Sequence, residues 1–111
     1  MQENIQENWF SNPEGELAVD VYQTDKDIVI QSAIAGALPH DLDISISGDL
    51  LTIRGKRKPP QNISKDRYFW QECFWGSFSR SIILPQEVEE NRLEASIKNG
   101  VLIIRLPKKK R

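Results

Sequence analysis

One hundred and eleven residues, 39% hydrophobic and 28% charged, make one folding domain rather than two domains or a disordered chain. Fifteen basic and sixteen acidic side chains nearly cancel, which argues against a general polyanion binder, while a single cysteine and a single histidine exclude a disulfide framework, a cysteine-rich zinc site and a His-rich metal centre. No apolar run approaches the roughly 18 residues of a membrane span, and the polar, acidic start is unlike a secretory signal, so a cytoplasmic protein is expected.

The near-neutral total hides an asymmetry. Residues 1–50 carry ten acids and one base, Lys26, a net −9; residues 51–111 carry fourteen bases and six acids, a net +8. Halves of opposite sign attract within a chain or between two chains, over roughly 8 Å at physiological salt. They bias docking and register more than affinity.

In chain order, residues 1–14 read as a short arm whose large apolar groups are Ile5, Trp9 and Phe10. After Gly15 the period becomes two: Leu17, Val19 and Val21 face one way, and Ala18, Asp20 and Tyr22 the other, which predicts a half-buried strand. A second strand is expected over Ile28–Ile34, broken by Gly36 and Pro39. Leu42, Ile44 and Ile46 alternate with polar residues, Gly48-Asp49 turns the chain, and Leu51 and Ile53 continue a hairpin. Gly55–Asp66 is a polar connection, longer than the two to five residues usual for hairpins. Either it is functional or it hides a strand that pairs elsewhere. The aromatic stretch Tyr68–Phe74 is followed by a strand, Phe78–Leu84, and Glu87–Arg92 suits one helical turn. Leu93, Ala95 and Ile97 alternate before Asn99-Gly100, the strongest turn dipeptide of the chain, and Val101–Leu106 forms the last strand. Roughly eight or nine short strands without a long helix predict an all-β sandwich.

Glu72, Gly76, Phe78, Arg80, Leu84-Pro85, then Ala95 and Asn99-Gly100-Val101-Leu102 ending in Pro107-Lys108, resemble the signature of the small heat-shock protein (alpha-crystallin domain) family. Val19-Asp20-Val21-Tyr22, Gly36 and Leu51-Thr52-Ile53-Arg54-Gly55 look like its bacterial and plant branch. The resemblance covers residues 15–108, with 1–14 as an N-terminal arm and 109–111 as the remnant of a basic tail. It implies an immunoglobulin-like sandwich and an ATP-independent holdase that captures unfolding client proteins. It also implies a homodimer made by strand exchange, in which a strand over Arg67–Glu72 crosses to pair with Leu17–Gln23 of another copy. An unpaired first strand supports this independently, because its free edge would template aggregation. Lys65 and Arg67 come from the basic half, and Glu14, Glu16 and Asp20 from the acidic one. Six of the nine aromatic residues fall between Tyr68 and Phe78, enough to anchor an interface. The expected interface is Leu17, Val19, Val21, Arg67, Tyr68, Phe69, Trp70, Glu72 and Arg80.

The family's groove for apolar segments implies that role for Ile44, Ile46, Leu93, Ala95 and Ile97, with plain core packing as the other reading. Trp9 and Phe10 suit client contact or an arm folded back on its own dimer. The family's Pro before Gly36 is replaced by Ala35, and its C-terminal I-x-I anchor is missing before Arg111. That leaves assemblies beyond the dimer open, for a naturally minimal member or an excised domain alike.

Arg80 shares a face with Phe78, Ile82 and Leu84, where an inward arginine needs an ion pair or carbonyl contact; Glu72 is a candidate partner. Cys73 reads as a packed small hydrophobe and His40 as a solvated turn residue. Lys56-Arg57-Lys58 and Lys108–Arg111 read as a solvated loop and tail, not a nucleic-acid site. No nucleotide-binding glycine loop, catalytic triad or cofactor motif is present, so neither an enzyme nor a cofactor is expected. Two rival readings are a monomeric co-chaperone or scaffold docking on a larger chaperone, and a purely structural protein.

Overall fold

A computed structural model of the chain describes residues 15–110. Eight strands follow one another: β1 Gly15–Glu16, β2 Asp20–Gln23, β3 Asp27–Ala33, β4 Leu42–Ser47, β5 Leu50–Arg57, β6 Gly76–Ile83, β7 Glu94–Lys98 and β8 Val101–Pro107. Short 3-10 turns at Pro39–Asp41, Lys65–Arg67 and Glu90–Arg92 are the only helical elements among the described residues. Two four-stranded sheets result, ordered β1-β6-β5-β4 and β2-β3-β8-β7. All pairings are antiparallel except β1 with β6, which is parallel.

Alternation decides which side chains enter the space between the sheets. Ile28, Ile30, Leu102, Ile104 and Leu106 come from the second sheet, with Ile34 just past the end of β3; Leu51, Ile53, Phe78 and Ile82 come from the first. On the outer face of the first sheet the same period puts small polar groups, with Thr52 Oγ1 3.2 Å from Ser81 Oγ. Phe78 reaches the core because β5 carries a glycine opposite it: a Cβ at Gly55 would lie 2.7 Å from Phe78 Cζ and 2.6 Å from Leu42 Cδ2. Asn99 and Gly100 both take positive φ, 53° and 77°, as the two central residues of a tight hairpin require.

The predicted first strand is two pieces. Gly15–Glu16 runs along β6 of one sheet, and Asp20–Gln23 pairs with β3 of the other. Residues 17–19 pass between the sheets, and three bonds hold the passage: Leu17 N donates to Ser79 O (3.3 Å), Arg80 Nη1 to Leu17 O (2.8 Å) and Ser32 Oγ to Ala18 O (2.6 Å). Ser32, a buried polar residue, is satisfied by that bond. The alternation of Leu17, Val19 and Val21 therefore decays from buried through half-buried to exposed as the chain changes layers.

Candidate functional site

Three features leave this sandwich unfinished. The first is β2, the end strand of its sheet, with one edge unpaired among the described residues. All four of its residues are exposed, and Val21 and Tyr22 keep 41% and 45% of their surface in solvent. Leu17, expected at the same interface, is instead buried in the chain's own core, and Val19 packs against that core.

Arg80 lies on the inward face of β6, as its period requires, and stays partly buried. Its partner is the Leu17 carbonyl, and the expected partner Glu72 is exposed elsewhere on the segment after β5. The reason is geometric: β1 runs beside β6, so a free carbonyl at the start of the inter-sheet passage lies within reach of the guanidinium.

The second feature is the excursion between β5 and β6. The expected strand over Arg67–Glu72 is absent: Arg67 ends a 3-10 turn, and residues 68–75 belong to no strand. Backbone bonds in this stretch are local, from Arg67 N to Ser64 O and from Tyr68 N to Lys65 O. A strand needs a neighbouring edge, and no strand of the described residues pairs with this segment. Phe69 and Trp70 are 94% and 80% exposed, with Tyr68 half-buried between the turn and these rings. Cys73 is exposed too, contrary to the packed position expected of it, because the segment carrying it lies outside the core.

The third feature is a groove of about 210 Å³ lined by Pro39, Leu42, Ile44, Ala95, Ser96, Ile97 and Leu102. It lies between β4 and β7, each the end strand of its sheet with an edge free among the described residues. Of the residues named for a groove, Ile44, Ala95 and Ile97 line this one. Ile46 and Leu93 do not line it; they pack, half-buried, against the core, Ile46 farther along β4 and Leu93 just before β7. Leu42 and Leu102 were missed as lining residues, although Leu42 shares the alternation of Ile44 and Leu102 is the cross-strand neighbour of Ile97.

His40 sits in the turn Pro39–Asp41 with 74% of its side chain exposed. Among the described residues no three His, Cys, Asp or Glu side chains gather as a metal site, and no helix is long and apolar enough to cross a membrane. Trp9 and Phe10 lie outside the described residues.

The sequence model of the Hsp20/alpha crystallin family matches residues 20–111. Spore protein SP21 of Stigmatella aurantiaca is 31% identical over 105 residues, spanning 91% of this chain and 62% of its own length. A probable 15 kDa heat shock protein of Leptospira interrogans is 34% identical over 92 residues, covering 83% of this chain and 69% of its own. Among solved structures, hspA of Xanthomonas axonopodis superposes with a TM-score of 0.79 at 29% identity, over 87% of this chain and 97% of that one. Heat shock protein 16.0 of Schizosaccharomyces pombe gives 0.75 at 27% identity, over 88% and 96%. The chain spans 55–62% of the length of several curated relatives it matches. A sandwich of this topology, matched by the family's sequence model over nearly all of its strands, belongs to the Hsp20/alpha-crystallin family of small heat-shock proteins, the stress-response chaperones.

Proposed function

We propose that the protein is an ATP-independent holdase that works as a strand-exchanged homodimer in the cytoplasm, binding partly unfolded proteins and suppressing their aggregation. One observation carries the reading: among the described residues, the same chain has an aromatic segment without a strand partner and a strand edge without a neighbour. The two deficits are complementary, so a second copy satisfies both, and two-fold symmetry makes the exchange twice. Magnitudes favour the doubled arrangement. Burying Phe69 and Trp70 removes about 400 Å² from water, roughly 10 kcal/mol gross at 25 cal/mol per Å². Association costs about 4–15 kcal/mol, so one exchange is near balance and two are clearly favourable.

The groove between β4 and β7 supplies an apolar strip flanked by open edges, where an extended client segment can add main-chain bonds. Holding the unfolded species lowers its free concentration and with it the aggregation rate. Nothing in this mechanism requires bond chemistry. An exposed Cys73 thiol suits a reducing compartment.

The test is solution mass together with light scattering from a heated client. The wild-type chain is expected to run as a dimer or larger species and to suppress scattering near stoichiometric amounts. The double variant Phe69→Ser/Trp70→Ser is expected to be a folded monomer with weakened suppression. A wild-type monomer would favour the co-chaperone reading, and a dimer that leaves scattering unchanged would sink the holdase.

A further inference from the structure

The two roots of the excursion are fixed to the sandwich and to each other. At the start, Arg57 Nε donates to Ala35 O and Lys58 N to Gly36 O, both at 3.1 Å. At the end, Trp75 folds back over the same turn. A Cβ at Gly36 would meet Trp75 Cζ3 at 3.0 Å and Lys58 O at 3.1 Å, and Gly36 holds φ +95°, which disfavours any side chain there. The Arg57 guanidinium carbon stands 6.0 Å from the centre of the Trp75 ring, within the range of a cation–π contact. Next to it, Phe74 covers Gly15, where a Cβ would lie 2.8 Å from Phe74 Cε2. Between these roots every residue from 59 to 73 is exposed except the half-buried Tyr68.

We propose that Trp75, Arg57 and Gly36 form a clamp that sets the direction in which residues 59–73 leave the domain, so that the exchange segment is presented to a second copy of this chain before the two meet. The proposal rests on the strand-exchange reading and adds positioning residues to it. A segment with free roots must be ordered during association, and each backbone residue fixed at that moment weakens binding. Fixing two or three of them beforehand is worth about tenfold or more in affinity. Arg57 acts in both halves of the device: its Nε ties the outgoing strand to the turn, and its planar face receives the returning ring.

The full-length chain tests this through Trp75→Ala, the conservative Trp75→Tyr, and Arg57→Gln as a milder variant should Trp75→Ala fold poorly. Dimer dissociation is measured by sedimentation, and a spin label on Cys73 reports motion of the segment in the dilute, monomeric protein. Trp75→Ala and Arg57→Gln are expected to weaken the dimer about tenfold or more and to speed the label, with Trp75→Tyr restoring both toward wild type. A purely structural ring would lower the melting temperature without changing the label's motion in the folded protein, and that result overturns the clamp. So does wild-type dimer affinity in both clamp variants while Phe69→Ser/Trp70→Ser is monomeric, an outcome that leaves the exchange reading intact. A Phe69→Ser/Trp70→Ser protein that still dimerises as wild type overturns the exchange reading and the clamp with it.

Discussion

Arg80 reaches a main-chain oxygen 63 positions earlier in the chain, at the point where Leu17 leaves one sheet for the other. Arg80→Ala leaves that carbonyl without its donor, and a stability loss of about 1–3 kcal/mol is expected, read as a lower urea midpoint. Arg80→Lys should recover only part of it, because an ammonium on a flexible stem lacks the guanidinium's fixed donors. Gly55→Ala tests a different constraint. The added methyl would meet Leu42 and Phe78 at 2.6 and 2.7 Å and Asp41 O at 3.0 Å. Overpacking of this kind costs about 1–3 kcal/mol; because Leu42 also lines the groove, the variant should change binding of apolar peptides as well as thermal stability. Alternation was enough to turn Arg80 inward. Its partner was not legible, since nothing local in the sequence ties residue 17 to residue 80; strand order does. Cys73 was misjudged for a related reason. Its residue type favours burial, but its segment never enters the sandwich.

At the scale of elements, apolar patterning and turn residues found β3, β4, β5, β6, β7 and β8 within a few residues; burial follows the period of two along β4, β5, β6 and β8, whereas β3 buries Ile28, Val29 and Ile30 in succession and β7 has no buried residue. Patterning failed where the chain changes layers. Leu17, Val19 and Val21 keep one alternation across two strands of different sheets, and the pattern carries no mark of the switch. The excursion was conspicuous by length, yet its secondary structure was not legible, since a strand exists only beside another edge. Half of the groove followed from the same period: Ile44 and Ile97 were recognisable as inward residues. What alternation does not encode is position along the strand, which gives Ile44 to the groove and Ile46 to the core boundary. Ala95→Glu is the corresponding test. The site is exposed, so stability should change by no more than about 0.5 kcal/mol. A carboxylate in an apolar groove should nevertheless weaken binding of an extended apolar peptide several-fold in a fluorescence titration.

At the scale of the whole molecule, residues 59–73 stand out as a run exposed throughout except at Tyr68. Charge at this scale is divided along the chain rather than mixed, net −9 in the first 50 residues and net +8 in the rest. β2 comes from the acidic part, and Lys65 and Arg67 come from the basic part. Raising ionic strength from about 0.05 to 0.5 M shortens the screening length several-fold. Stopped-flow association of monomers should then slow by about tenfold or more, while the monomer's urea midpoint moves little. An association rate indifferent to salt would show that the divided charge plays no part in assembly. The sign division was plain in the sequence; that the two signs reach an open edge and a projecting segment needed the topology.

The bond from Arg80 to Leu17 also has a consequence for how the protein is made. The β1–β6 pair and the passage behind it cannot close until Phe78–Arg80 have emerged from the ribosome, whereas β2 and β3 are adjacent in the chain and can join at once. At translation rates of about 5–20 residues per second, the opening residues wait roughly 3–12 seconds without their final neighbour. Until then residues 15–17 have no β6 edge to meet.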